Sequence, residues 1–137
     1  MLRLQIKNII KKSGLTATKV RVKVLAAFMK TKKPMTLQAI NKLINDLDRV
    51  TLFRVLSIFE EKKIIHSFII DDNKRYALCS HECNDQHNCH KHIHFKCDDC
   101  DEVSCLPVVD FPQIVAKNHI INNLIINASG KCVNCIV

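Results

Sequence analysis

A chain of 137 residues, 47% hydrophobic and 25% charged, has room for one ordinary domain or two very small ones, and a very small domain needs a metal or a partner chain to stay folded. Its first residues, Met1-Leu2-Arg3-Leu4-Gln5-Ile6-Lys7, break every apolar run with charge, which excludes a signal-peptide core and the ~20 apolar residues of a membrane span; a cytoplasmic protein with no membrane partner is expected. The net charge of +8 is uneven: residues 1–63 carry 15 Lys and Arg against 4 Asp and Glu, while residues 64–137 carry 6 against 9, the pattern of a basic nucleic-acid-binding module joined to something chemically different.

In chain order, Leu2, Leu4, Ile6, Ile9 and Ile10 among lysines predict a short amphipathic helix ending near Ser13-Gly14. Thr16 or Thr18 can cap a second helix carrying Val20, Val24, Leu25 and Phe28, which stops before Lys32-Lys33-Pro34. Thr36 caps a third, with Leu37, Ile40, Leu43 and Ile44 as its stripe, and Asp48 opens a fourth that runs through Lys63. The apolar period then changes from about 3.6 to 2. Residues 64–70, a polar turn over 71–74 and residues 75–79 predict a hairpin. Helices followed by a two-stranded hairpin are the order of a winged helix-turn-helix, with the hairpin as wing and the helix before it as reader. Residues 81–91 are polar and aperiodic and are expected to link modules. Beyond them, 92–97 and 102–106 predict strands, 110–118 a short helix and Ile120–Asn127 a last strand. The expected fold class is therefore α+β: a winged-helix domain over 1–80 and a small metal-binding α/β dimerisation domain over 92–137.

On the fourth helix Leu52, Val55, Leu56 and Phe59 share one stripe, which must be the buried one. Phe53 lies about 100° from Leu52, and Arg54 further round. Two readings are open: Phe53 covers the edge of the core and Arg54 is a solvated charge, or Thr51, Phe53 and Arg54 face a major groove, where Arg reaches phosphate or guanine and a ring meets a thymine methyl.

All eight cysteines lie between Cys79 and Cys135, interleaved with six of the seven histidines. Without an export signal, metal ligation is a better account than disulfides. Cys97-x-x-Cys100 and Cys132-x-x-Cys135 are two knuckles whose four thiolates suit a closed tetrahedral zinc site, and the 31 residues between them make a small domain that the ion closes. His92 and His94, two apart on a strand, share a face, whereas His94 and Cys97, three apart, do not. The two histidines are therefore expected to serve a second site.

Over nearly its whole length the sequence resembles the ferric uptake regulator family. The resemblance is carried by Thr18-x-x-Arg21, by Val50-Thr51-Leu52-Phe53-Arg54-Val55-Leu56, by His92-x-His94-x-x-Cys97-x-x-Cys100 and by Gly130-x-Cys132-x-x-Cys135. It implies a homodimer that binds a palindromic double-stranded DNA operator when a regulatory metal is loaded, with Arg21, Thr51, Phe53 and Arg54 on the DNA side. Departures from the iron and peroxide sensors favour another branch. Lys33-Pro34 stand where those proteins place a histidine, Cys105 stands where they often place a carboxylate, and Asn123-Leu124 replaces a histidine shortly before the final glycine. Tyr76-Ala77-Leu78-Cys79 instead resembles the zinc-uptake regulators, whose wing ends in a ligand cysteine. The resemblance thus implies a regulatory zinc on Cys79, His92 and His94, with His66 on the first wing strand as fourth ligand and Asp72, Cys105 and His90 in reserve. His81, Cys83, His87, Cys89 and His90 have no family counterpart and form either an accessory metal site or a solvated tract.

The expected function is that of a zinc-responsive repressor, with an iron, nickel or peroxide sensor of the same family as the alternative. A zinc hydrolase or thiol oxidoreductase is the remote one. A hydrolase needs three ligands, an open position and a carboxylate base, and the sequence has no His-Glu-x-x-His; no enzyme is expected.

Overall fold

In the computed structural model, residues 2–78, 92–107, 112–122 and 124–136 are described. The chain divides into two compact units, Met1–Ser80 and His81–Val137.

The first unit opens with helices α1 (Leu2–Lys12), α2 (Lys19–Thr31), α3 (Leu37–Leu43) and α4 (Arg49–Glu61). Each boundary has a local cause. Gly14, at φ 81°, closes α1: its N–H reaches the Lys11 carbonyl at 3.0 Å and the next N–H, from Leu15, reaches Ile10 at 3.2 Å, the paired bonds that end a helix in a left-handed residue. Thr18, not Thr16, caps α2, its hydroxyl accepting from the Arg21 N–H; Thr36 caps α3 through Ala39, and Asp48 caps α4 through Thr51. Most of the expected stripe residues are buried, but Leu2, Leu4 and Leu43 are exposed. Ile6 and Ile10, Val24, Leu25 and Phe28, Ile40, and Leu52, Val55, Leu56 and Phe59 meet in one core, and their burial is the main stabilising term of this unit.

Strands β1 (Ile65–Ile70) and β2 (Asn73–Leu78) form the hairpin, paired antiparallel from Ile65↔Leu78 to Ile70↔Asn73. The turn is tighter than the expected four residues. Asp71 and Asp72 alone make it, both at positive φ (51° and 62°), the two-residue geometry whose twist matches the strands it joins. Lys74 belongs to β2 and sets its ammonium 5.3 Å from the Tyr76 ring centroid. Met35, just before α3, exchanges both backbone bonds with Tyr76 at 2.8 Å, so β2 is held on both edges and Tyr76 is fixed in the core.

The second unit contains β3 (His92–Cys97), β4 (Val103–Pro107) and β5 (Asn127–Gly130), in the sheet order β4-β3-β5. β3 runs antiparallel to β4 and parallel to β5. Two expectations fail here. The described part of the expected helix, residues 112–118, has only a turn at Lys117-Asn118. Ile114 and Val115 are exposed, Val115 at 94%, so among the described residues the apolar face such a helix would present is not packed, and a helix this short is unstable alone. The last strand covers Asn127–Gly130 rather than Ile120–Asn127, because it is fixed by its register with β3: Cys97 pairs with Gly130, and the His94 N–H reaches the Ile126 carbonyl at 3.0 Å just before it. A Cβ on Gly130 would lie 3.4 Å from the Phe95 ring, at van der Waals contact, so β5 passes close beside this ring. Among the described residues no helix is long and apolar enough to cross a membrane.

Lys63, which follows α4, sits at φ 59°, its N–H bonded to Glu60 and that of Ile64 to Phe59. A side chain in this left-handed conformation costs about 1 kcal/mol that glycine avoids. Lys63→Gly is expected to raise the urea midpoint of the first unit; an unchanged or lower midpoint would show that the strain is absent.

Candidate functional site

The four knuckle cysteines come together. The sulfurs of Cys97, Cys100, Cys132 and Cys135 all lie within 4.8 Å of one another. A tetrahedral ion with metal–sulfur bonds of about 2.3 Å requires sulfurs about 3.8 Å apart, and Cys100 Sγ and Cys132 Sγ stand at 3.7 Å. The backbone builds this arrangement from both ends. The Cys97 N–H bonds to the Glu102 carbonyl at 2.9 Å and that of Asp101, at φ 62°, to Cys97 at 3.0 Å, which folds the first knuckle. The N–H groups of Cys135 and Ile136 return to the Cys132 carbonyl and fold the second, and the Asp98 N–H joins the two through the Gly130 carbonyl at 2.7 Å.

Electrostatics separates the four thiols. Backbone N–H groups of Cys100 and Cys132 point at the Cys97 sulfur, the latter at 3.4 Å, and hold its pKa down to about 6. Cys135 is pushed well above the usual thiol range by its hydrogen bonds to the Cys132 and Cys97 sulfurs. One thiolate is thus favoured by the backbone while a neighbour resists ionisation. A cation is the partner that lets all of them ionise together.

The remaining sequence-derived candidates are placed as follows. His94 is buried on β3, directly opposite Cys105 on β4; burial pushes the Cys105 thiol up to about 11. The backbone of His92, two positions before His94 on β3, pairs with that of Pro107. His66 is buried on β1, opposite Ala77, its ring stacked on Phe68 with centroids 6.0 Å apart. Asp72 is exposed at the hairpin turn, more than about 13 Å of strand away from His66, so these two cannot share an ion. Cys79, His90 and the other His/Cys positions of 81–91 lie outside the described residues.

On the fourth helix Phe53 is 51% exposed and Arg54 is exposed, while the stripe beside them is buried. Val50, one turn before Arg54, is also exposed, and together they give the helix a mixed apolar and cationic outer face. Two side chains have partners that spacing alone did not reveal. The Thr51 hydroxyl donates to the Asp48 carboxylate that caps the helix, and this bond lowers the Asp48 pKa. Arg21 Nη1 donates to the Thr16 carbonyl at 2.9 Å, tying the loop before α2 to the helix. The signals were present, in Asp48-x-x-Thr51 as a capping pair and in Arg21 one turn inside a capped helix.

A winged helix-turn-helix with an outward basic reader, followed by a β unit that gathers four thiols, defines a metal-binding, DNA-binding regulator. The profile of the ferric uptake regulator family matches residues 12–123, and the chain belongs to that family. It is accordingly a metal-responsive transcription regulator that binds DNA as a homodimer. No curated protein sequence matches it significantly. Among solved structures, the Vibrio cholerae ferric uptake regulator is similar at 20% identity and a TM-score of 0.62, covering 92% of this chain and 98% of its own. A zinc uptake regulator complexed with zinc and DNA is similar at 20% identity and a TM-score of 0.67, covering 98% and 93%. The Helicobacter pylori ferric uptake regulator follows at 14% and 0.61, covering 99% and 93%. At these identities the likeness establishes the fold.

Because a thiolate-bound ion contributes folding free energy directly, Cys97→Ser and Cys132→Ser are each expected to leave the second unit unfolded or the chain monomeric, read by near-UV circular dichroism and sedimentation. A variant that keeps both its dimer and its full metal content would remove the four-thiol cluster from this role.

Proposed function

We propose that the protein is a zinc-responsive repressor: zinc on Cys97, Cys100, Cys132 and Cys135 holds the second unit together, and a second zinc on Cys79, His94, His92 and His66 switches operator binding. The observation that carries this reading is donor chemistry. Outside the four-thiol cluster, the candidate donors are imidazoles and sulfur, a set that favours zinc over ferrous iron, which takes harder ligands in regulators of this kind. The likeness to a zinc uptake regulator complexed with zinc and DNA supports it further.

The mechanism follows from chain order. Cys79 comes directly after the wing strand β2, and His92 and His94 lie on β3. Cys79, His92 and His94 would hold one ion between the two segments, which would restrict the relative freedom of the reading and dimerising units. Zinc supplies charge and a coordination geometry; the chain supplies the rest. In the dimer, two α4 helices then enter successive major grooves, where Arg54 contacts a base or phosphate, Phe53 packs on a thymine methyl, and Arg21 and Thr51 support the helix and its approach to the backbone.

Two outcomes are expected. Arg54→Ala weakens operator binding by about 1–3 kcal/mol if the contact is bidentate to a base, with metal content and dimerisation intact; an equal loss on every sequence makes it a phosphate contact instead. Cys79→Ser keeps a folded dimer and its four-thiol zinc but loses metal-dependent operator binding, measured by fluorescence anisotropy at buffered free zinc, ferrous iron and nickel. Normal zinc-dependent binding by this variant, or a wild-type response to ferrous iron at lower free concentration than to zinc, would overturn the reading.

A further inference from the structure

The hydroxyl proton of Thr51 is already committed. The Asp48 carboxylate that caps α4 accepts twice from this one residue, from its backbone N–H at 3.2 Å on Oδ2 and from its hydroxyl on Oδ1. These bonds, the hydroxyl's first, hold the Asp48 carboxyl below its ordinary range. The group is therefore ionised and can only accept, and the proton between the two oxygens belongs to Thr51. The Thr51 oxygen keeps lone pairs but has no proton left to give. It stands in the first turn of α4, half-buried, and Arg54, three positions on and on the same face, is exposed.

A major groove sorts its readers by the same property. The amino groups of adenine and cytosine donate there, whereas the carbonyl oxygens of guanine and thymine accept, as do phosphate oxygens. A hydroxyl free to rotate suits either kind, and so carries little information about the base. A hydroxyl held by a carboxylate suits only a donor. Resting on the reading of α4 as the helix that enters the groove, and going beyond the supporting part given to Thr51 above, we infer that Asp48 makes Thr51 a specificity-determining residue. Through it the helix selects the amino group of adenine or cytosine and disfavours guanine, thymine and phosphate at that step. Asp48 is the positioning residue and acts through Thr51. Turning the hydroxyl round to meet an acceptor would break its bond to the carboxylate and leave that anion, short of one donor, beside a negatively charged duplex.

The test selects duplexes from a random-sequence pool with the full-length dimer, loaded with whichever of zinc, ferrous iron and nickel supports binding, and then measures affinity by fluorescence anisotropy. One half-site position is expected to hold adenine or cytosine for the wild type and for Thr51→Ser. Thr51→Val, which keeps the shape and the capped N–H but has no hydroxyl, should lose that preference. Replacing the selected base by its analogue without the amino group, purine for adenine or 2-pyrimidinone for cytosine, should weaken wild-type binding by about two- to tenfold, the worth of one hydrogen bond, and leave Thr51→Val unaffected. Asp48→Asn carries the sharper expectation. Asparagine caps a helix as well as aspartate does, but its one amide oxygen is needed by the Thr51 N–H, so its amide nitrogen meets the hydroxyl as a donor and frees the hydroxyl proton for the groove. Preference at the same position should then turn to thymine or guanine, whereas a purely structural cap predicts no change. Unaltered selection by Thr51→Val or by a folded Asp48→Asn, while Arg54→Ala does alter selection, overturns the inference and leaves α4 as the reader. A wild-type preference for guanine or thymine at the position that Thr51→Val relaxes overturns it equally. Unaltered selection by all three variants overturns both.

Discussion

Four sulfurs do for the second unit what apolar side chains do for the first. Among its described residues only His94, Cys97 and Val103 are buried, too little apolar surface to offset the entropy of ordering such a chain. The most deeply buried of them is Cys97, at 0% exposure, and it lies where both knuckles, β3 and the Gly130 end of β5 converge. A cation held by these four sulfurs would contribute the folding free energy that apolar burial does not supply here. Everything else in the unit follows from that closure. β5 is fixed by its register with β3, and the first knuckle turns directly out of β3.

The same shortage explains the apolar surface this unit shows. Ile114, Val115, Ile120, Ile121 and Ile125 are exposed in a single chain, apolar side chains of the kind that a partner chain covers. In a homodimer they have a second copy to bury against. The first unit needs no such help. Its core joins all four helices with Ile64, Ile65 and Tyr76, and the Met35–Tyr76 bridge locks the wing to the start of α3, which leaves Phe53 and Arg54 outward on a helix that cannot rotate without breaking its packing.

Much of this was legible in the sequence because it depends on short-range rules. The stripe Leu52, Val55, Leu56 and Phe59, the caps Thr18, Thr36 and Asp48, and the two Cys-x-x-Cys knuckles are each written within one or two turns of chain, and their geometry is independent of distant residues. The failures are where a distant partner decides. Residues 112–118 have a helical pattern whose buried face would have to be provided by another molecule. Asn127–Gly130 has little strand propensity and becomes a strand through its register with β3. The pairing of Cys105 with His94 is invisible until the β3–β4 register is known, since eleven positions separate them in the chain.

The proposed switch is a coupling: a regulatory ion on the proposed donors would change how well two reading helices fit DNA. An ion can shift that equilibrium only by its difference in affinity for the two arrangements, so zinc and operator must strengthen each other's binding by the same factor. The most direct measurement is a pair of titrations on the dimer with its four-thiol site filled: zinc binding with and without saturating operator, and operator binding with and without saturating zinc. Equal enhancement factors well above one are predicted. Zinc affinity that is indifferent to bound operator would contradict the account, whatever the mutants show.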